Sequence, residues 1–133
     1  MKFTKEEISL CKQVAEKHRK EVESGDWVWV RKYHNYFLVI IALVNRVQIS
    51  NEGWFDITGV IPLWTISDCL GFLKSRSFYG SISDVGSYYE TYYKKMIIGE
   101  NDEDKSIKVY SGIVKTPLEA CLKVVLVVLE EGK

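Results

Sequence analysis

With two prolines, three cysteines and two histidines in 133 residues, the chain has little material for several common architectures and chemistries. Cys11, Cys69 and Cys121 are odd in number, far apart and form no CxxC pair, which excludes a disulfide framework and a thiolate zinc site as expectations. Each falls among apolar positions of an expected helix, where a small buried thiol is the ordinary occupant. No charge of either sign is in excess: 18 Lys+Arg meet 18 Asp+Glu, and no segment is a basic arm or an acidic tail. No long apolar run occurs either. The longest, Phe37–Val44, has eight residues, whereas a membrane helix needs about 20. Charges occupy the opening MKFTKEEISLCK where a signal peptide would be apolar, so the expectation is a cytoplasmic, reduced protein.

What is present is the composition of a globular chain, 47% hydrophobic and 27% charged, and its length makes a single domain over 1–133 the default. A helix opens at Thr4, whose side chain and that of Glu7 form a capping box. Ile8, Cys11, Val14, Ala15, His18 and Val22 then recur at helical spacing, and Gly25 suits the stop. Trp27–Val30 reads as a short strand and Tyr33–Asn35 as a turn. Phe37–Val44 reads as a central strand buried on both faces. Asn51-Glu-Gly53 signals a turn, and Trp54, Phe55 and Ile57 a further strand closed by Gly59 and Pro62.

Thr65 with Asp68 opens a second helix with an inward stripe of Ile66, Cys69, Leu70 and Leu73. Ser81–Ser87 reads as irregular. Tyr88–Ile98 suits a helix face by spacing and a strand by its aromatic residues, and strand is preferred. Gly99–Lys105 reads as a polar hairpin loop, with a last strand at Ile107 and Val109. Thr116, Pro117 and Glu119 start a third helix that is apolar around most of its girth. The expected class is α+β: about five mainly antiparallel strands packed with three helices, in the order α-β-β-β-α-β-β-α.

Two of these segments, Ile61-Pro-Leu-Trp-Thr-Ile-Ser-Asp-Cys-Leu70 and Thr116-Pro-Leu-Glu-Ala-Cys-Leu122, carry a resemblance. With the opening helix and Gly25-Asp-Trp-Val28, they resemble small uncharacterised phage and prophage proteins that have an IPLxTxxDxL helix start, two strands and a terminal TPxEA helix. The resemblance spans residues 60–130 and implies a fold and a phage or mobile-element origin. It carries over no catalytic residue.

Nucleophilic catalysis needs Ser or Cys near an oriented His. His18 lies on the first helix's inward stripe and His34 in a turn, and no GxSxG is present. Asn101–Asp104 lacks the spacing of an EF-hand loop, and no phosphate-binding glycine motif occurs. No catalytic, metal or cofactor site is therefore assigned. Basic and aromatic residues do interleave, in Arg31-Lys32-Tyr33 and again in Tyr92 with Lys94 and Lys95. Such groups can stack bases and neutralise phosphates. Four Trp, eight Tyr and five Phe are many for this length; aromatic residues dominate cores and also anchor interfaces. One of Trp27 and Trp29 is expected in the core, the other under the first helix or a subunit. The expected function is non-enzymatic: a phage-type accessory protein acting through a protein partner or self-association. The alternative is a weak nucleic-acid binder using Arg31, Lys32, Tyr33, Tyr92, Lys94 and Lys95.

Overall fold

A computed structural model describes residues 2–49, 52–86, 88–95, 105–109 and 114–131. The chain is α+β, with three helices and antiparallel sheets, in the order α1 (Lys5–Lys17), β1 (Trp27–Val30), β2 (Asn35–Ala42), β3 (Arg46–Ile49), β4 (Gly53–Asp56), β5 (Val60–Leu63), α2 (Ile66–Ser75), β6 (Phe78–Asp84), β7 (Tyr89–Lys95), β8 (Lys105–Val109) and α3 (Pro117–Glu131). It forms two compact units, residues 1–64 and 65–133.

In the first unit, five strands lie in the order β4-β3-β2-β1-β5, with a 3-10 turn at Ile57–Gly59 before the last strand. Val28, Val30, Val39, Val47, Ile49 and Val60 point inward and form one buried cluster. Period-2 alternation places Trp27 and Trp29 together on the opposite face, so the expectation that one of them lies in the core is corrected. That outer face is covered at β5 by α1, which buries Ile8, Leu10, Cys11 and Val14. Full burial of an aliphatic side chain such as Val14 contributes about 1.5–3 kcal/mol. Phe3, Trp27 and Tyr36 meet edge to face beside it, with centroids 5.4–6.3 Å apart.

The capping box at Thr4 is present: the Glu7 backbone N–H donates to Thr4 Oγ1 at 3.1 Å and the Thr4 N–H to Glu7 Oε1 at 2.8 Å. The helix is shorter than expected. It stops at Lys17, and His18 is extended. Arg19 donates to the carbonyls of Ile57 and Val60, and Val22 packs against the valine cluster. A non-helical 18–24 segment makes both contacts, so tertiary packing overrides local propensity. Gly25, with φ +92°, serves the sheet instead, its N–H donating to the Val39 carbonyl at 2.8 Å.

The second unit holds the three-stranded sheet β6-β7-β8, against which α3 packs, and α2 packs on α3 and β6. Tyr89–Lys95 is a strand, as preferred from its aromatic residues. Residues expected to be irregular from Ser81 are the second half of β6, paired with β7 from Phe78↔Lys95 to Asp84↔Tyr89. The expected hairpin loop lies outside the described residues except Lys105, which opens β8. Thr65 and Asp68 form the second capping box. Cys69 and Leu73 are buried there, whereas Ile66 and Leu70 are 37% and 44% exposed, so only half of the expected stripe faces inward. At α3 the Glu119 N–H donates to Thr116 Oγ1 at 3.1 Å, and the Glu119 carboxylate accepts from Lys115 N–H at 3.2 Å. Leu118, Ala120, Cys121, Leu122, Val124, Val125, Val128 and Leu129 are buried, as its apolar girth requires.

Candidate interaction surface

Arg31, Lys32 and Tyr33 form the exposed turn between β1 and β2. Lys32 Nζ lies 5.7 Å from the Tyr33 ring centroid, and that ring meets Phe37 and Phe55 edge to face at 5.9 and 5.7 Å. Tyr33 is therefore partly committed to closing the end of the valine cluster. His34 completes the turn with φ +48° and is exposed. Tyr92 is 43% exposed on β7, opposite Ser81 and Lys108. Lys94 and Lys95 take the last two register positions of that strand, opposite Tyr79 and Phe78. The first three residues belong to the first unit and the last three to the second.

The surface that sequence reasoning missed is on β2. Its burial is not two-sided: Leu38, Ile40 and Ile41 on the strand and Leu43 and Val44 just past its end are each at least 40% exposed, and Val44 is 97% exposed. β2 is central by position, yet only Val39 is fully buried within it. A β-bulge explains the pattern. Val39 pairs with Ile49 and Ile41 with Gln48, so Ile40 is an extra residue with no partner on β3. Val47 and Ile49 are buried and Gln48 lies between them, which puts Ile41 on the outer face beside Leu38 and Ile40. The same face continues through Gln48 to Trp54 on β4, where Arg46 stacks 4.5 Å from the Trp54 ring. The only sequence signal was the Ile-Ile pair inside an apolar run, and a run of that kind reads as full burial.

Beside the end of β2, residues 18–24 border an open groove of ≈ 930 Å³ whose far wall is Ala42, Leu43, Val44 and Ile57. Arg19, inside this groove, has its pKa lowered by burial and then by the nearby charge of Arg31. Its two carbonyl bonds make it a brace for the 3-10 turn. Asp56 starts that turn, accepting from the backbone N–H and the hydroxyl of Thr58, which together hold its carboxyl below the usual range. His18 stands edge to face with Trp64 at 6.1 Å, and Cys11 Sγ accepts from the Trp64 N–H at 3.4 Å. All three cysteines are buried and unbridged. Among the described residues, no group of three or more His, Cys, Asp or Glu is arranged to hold a metal ion, and no helix is long and apolar enough to cross a membrane. Comparison with protein-family models, with curated proteins and with solved structures finds no match.

Proposed function

We propose that this is a non-enzymatic accessory protein, of phage type, that works by binding another protein through the outer face of β2. One observation carries the reading: Leu38, Ile40 and Ile41 on a strand central to its sheet, with Leu43 and Val44 just past its end, each stay at least 40% exposed. Contiguous apolar surface of this kind costs solubility and is kept where a partner covers it. Covering each half-exposed side chain contributes about 1 kcal/mol. The neighbouring Trp54–Arg46 stack adds the residue types that dominate interface energetics.

Replacing Leu38 and Ile41 together by threonine tests the reading, because threonine keeps strand propensity and removes the apolar surface. Thermal stability is expected to change by less than about 1 kcal/mol, since neither side chain is buried. Retention of a protein partner, or self-association seen by light scattering, is expected to fall at least tenfold. Unchanged retention by a folded double variant overturns this surface. Retention that vanishes on nuclease treatment and falls steeply with salt moves the assignment to the alternative, nucleic-acid binding through Arg31, Lys32, Tyr33, Tyr92, Lys94 and Lys95.

A further inference from the structure

A second concavity lies on the α1 side of the first unit. It has a volume of ≈ 470 Å³ and is lined by Phe3, Lys5, Ile8, Ser9, Lys12, Trp29 and Tyr36. That volume falls within the range of small-molecule sites, about 300–1,000 Å³. Its walls come from β1, β2, α1 and the residue ahead of that helix's cap, tied to one another by specific contacts. Trp29 and Tyr36 are direct register partners across β1 and β2. Phe3 is locked against Tyr36 edge to face, at 5.4 Å and 77°, just ahead of the Thr4 capping box. Lys5, Ser9 and Lys12 follow at four- and three-residue steps and so stand along one face of α1. The wall is thus aromatic and aliphatic, while the helix side supplies cations and a hydroxyl.

The charge at this site has one sign. Two of the seven lining residues are lysines and none is acidic. Glu7, the acidic residue of the same helix closest to Lys5 on the inward side, is buried and takes the Thr4 backbone N–H. Neither lysine has an ion-pair partner among the described residues, and Lys12 Nζ lies 4.4 Å from the centroid of the Trp29 ring. An ammonium resting on an indole face at the edge of an aromatic cup is placed to meet an anion whose body stacks inside. A carboxylate between Lys5 and Lys12 would accept from both ammonium groups, with Ser9 between them on the helix.

We infer that this cup binds a small organic acid with a flat apolar body, an arylalkanoate. The aromatic part lies against Phe3, Trp29 and Tyr36, and the carboxylate faces Lys5 and Lys12. The cup adjoins the outer face of β2, since Tyr36 lies two residues before Leu38 on the same side of the strand, but its test reads the Trp29 signal and not retention of a partner, so the two readings fail separately.

The test is a titration of the full-length, isotope-labelled chain followed by ¹⁵N–¹H spectra, with the Trp29 indole N–H as reporter. The probes are 4-phenylbutyrate, its neutral counterpart 4-phenyl-1-butanol and the peptide acetyl-Asp-Phe-amide. The butyrate is expected to saturate with a Kd on the order of 1 mM, typical of a fragment this size. The alcohol is expected to bind about tenfold more weakly, the share two solvent-facing charges can contribute. Lys5→Gln with Lys12→Gln should leave the chain folded, leave alcohol binding unchanged and bring butyrate down to the alcohol's affinity. An unmoved Trp29 signal, or equal affinity for acid and alcohol, overturns the site. Butyrate binding that survives the double substitution overturns the role of the lysines. Binding of the peptide alone overturns the small-acid assignment and makes a segment of a partner chain the occupant.

Discussion

Arg19 sets the point at which the first helix ends, and nothing in its local sequence says so. Its partners are carbonyls 38 and 41 residues away, Ile57 and Val60, and backbone acceptors leave no trace in a side-chain pattern. Arg19→Met removes both bonds and frees the 3-10 turn. It is expected to cost about 1–2 kcal/mol, read as a shifted urea midpoint with unchanged slope. Caps behave in the opposite way. Thr4 with Glu7, Thr65 with Asp68 and Thr116 with Glu119 are local pairs, and all three were legible because donor and acceptor sit three residues apart. The buried acids Glu7 and Glu119 are both such partners, which is what makes their burial tolerable. Cys121 gives a pH prediction. Burial raises its thiol pKa from 9.0 to about 11. Above pH 9 the unfolded chain has already lost this proton and the folded chain has not. Stability therefore falls between pH 9 and 11 on this account. Cys121→Ala is expected to flatten that decline, measured as the urea midpoint at pH 8 and pH 10.5.

At the scale of elements, the helices were read more surely than the strands. Helix signals are periodic and capped, whereas a strand's burial depends on what lies across the sheet. β5 was missed because Pro62 looked like a terminator. The strand tolerates it as an edge, paired only with β1, where one missing N–H costs least. β6 was missed because its Ser, Gly and Asp residues read as a loop, yet β7 supplies a seven-position ladder that fixes it. Two-sided burial of β2 was wrong for a related reason: apolar content cannot report a bulge, which exists only relative to β3. The third helix shows what a cap is worth when the rest of the element is built from β-branched residues with poor intrinsic propensity. Thr116→Ala leaves the Glu119 N–H without its acceptor and is expected to cost about 1 kcal/mol, seen as a lower thermal midpoint by circular dichroism.

For the whole molecule, the α+β class was legible from element order, while the division into two sheets was not, since hairpin signals say which strands are neighbours in sequence and nothing about where a sheet ends. The candidate site was the least legible part. Interleaved basic and aromatic residues drew attention to Arg31–Tyr33, but the larger exposed surface lay in a segment whose composition suggested a core. Each unit has its own sheet and helix packing, and the first closes its valine cluster from residues 22–60 alone. Residues 1–64 produced alone are therefore expected to unfold cooperatively in urea. Stability would be at most about 3–5 kcal/mol, as for other cores of that size. A broad, non-cooperative transition would show that the first core needs the rest of the chain.

Strands ordinarily tolerate no change in length, because losing one residue turns every later side chain to the other face. The bulge at Ile40 reverses that rule at one place. Val39 faces inward, two isoleucines follow outward, and Ala42 packs on the core again. Deleting one isoleucine would restore strict alternation and leave Val39 and Ala42 where they are. Such a chain is expected to melt no lower than the parent while giving up half of its paired isoleucines. The extra residue would then be an insertion kept for what it displays and not for what it holds together.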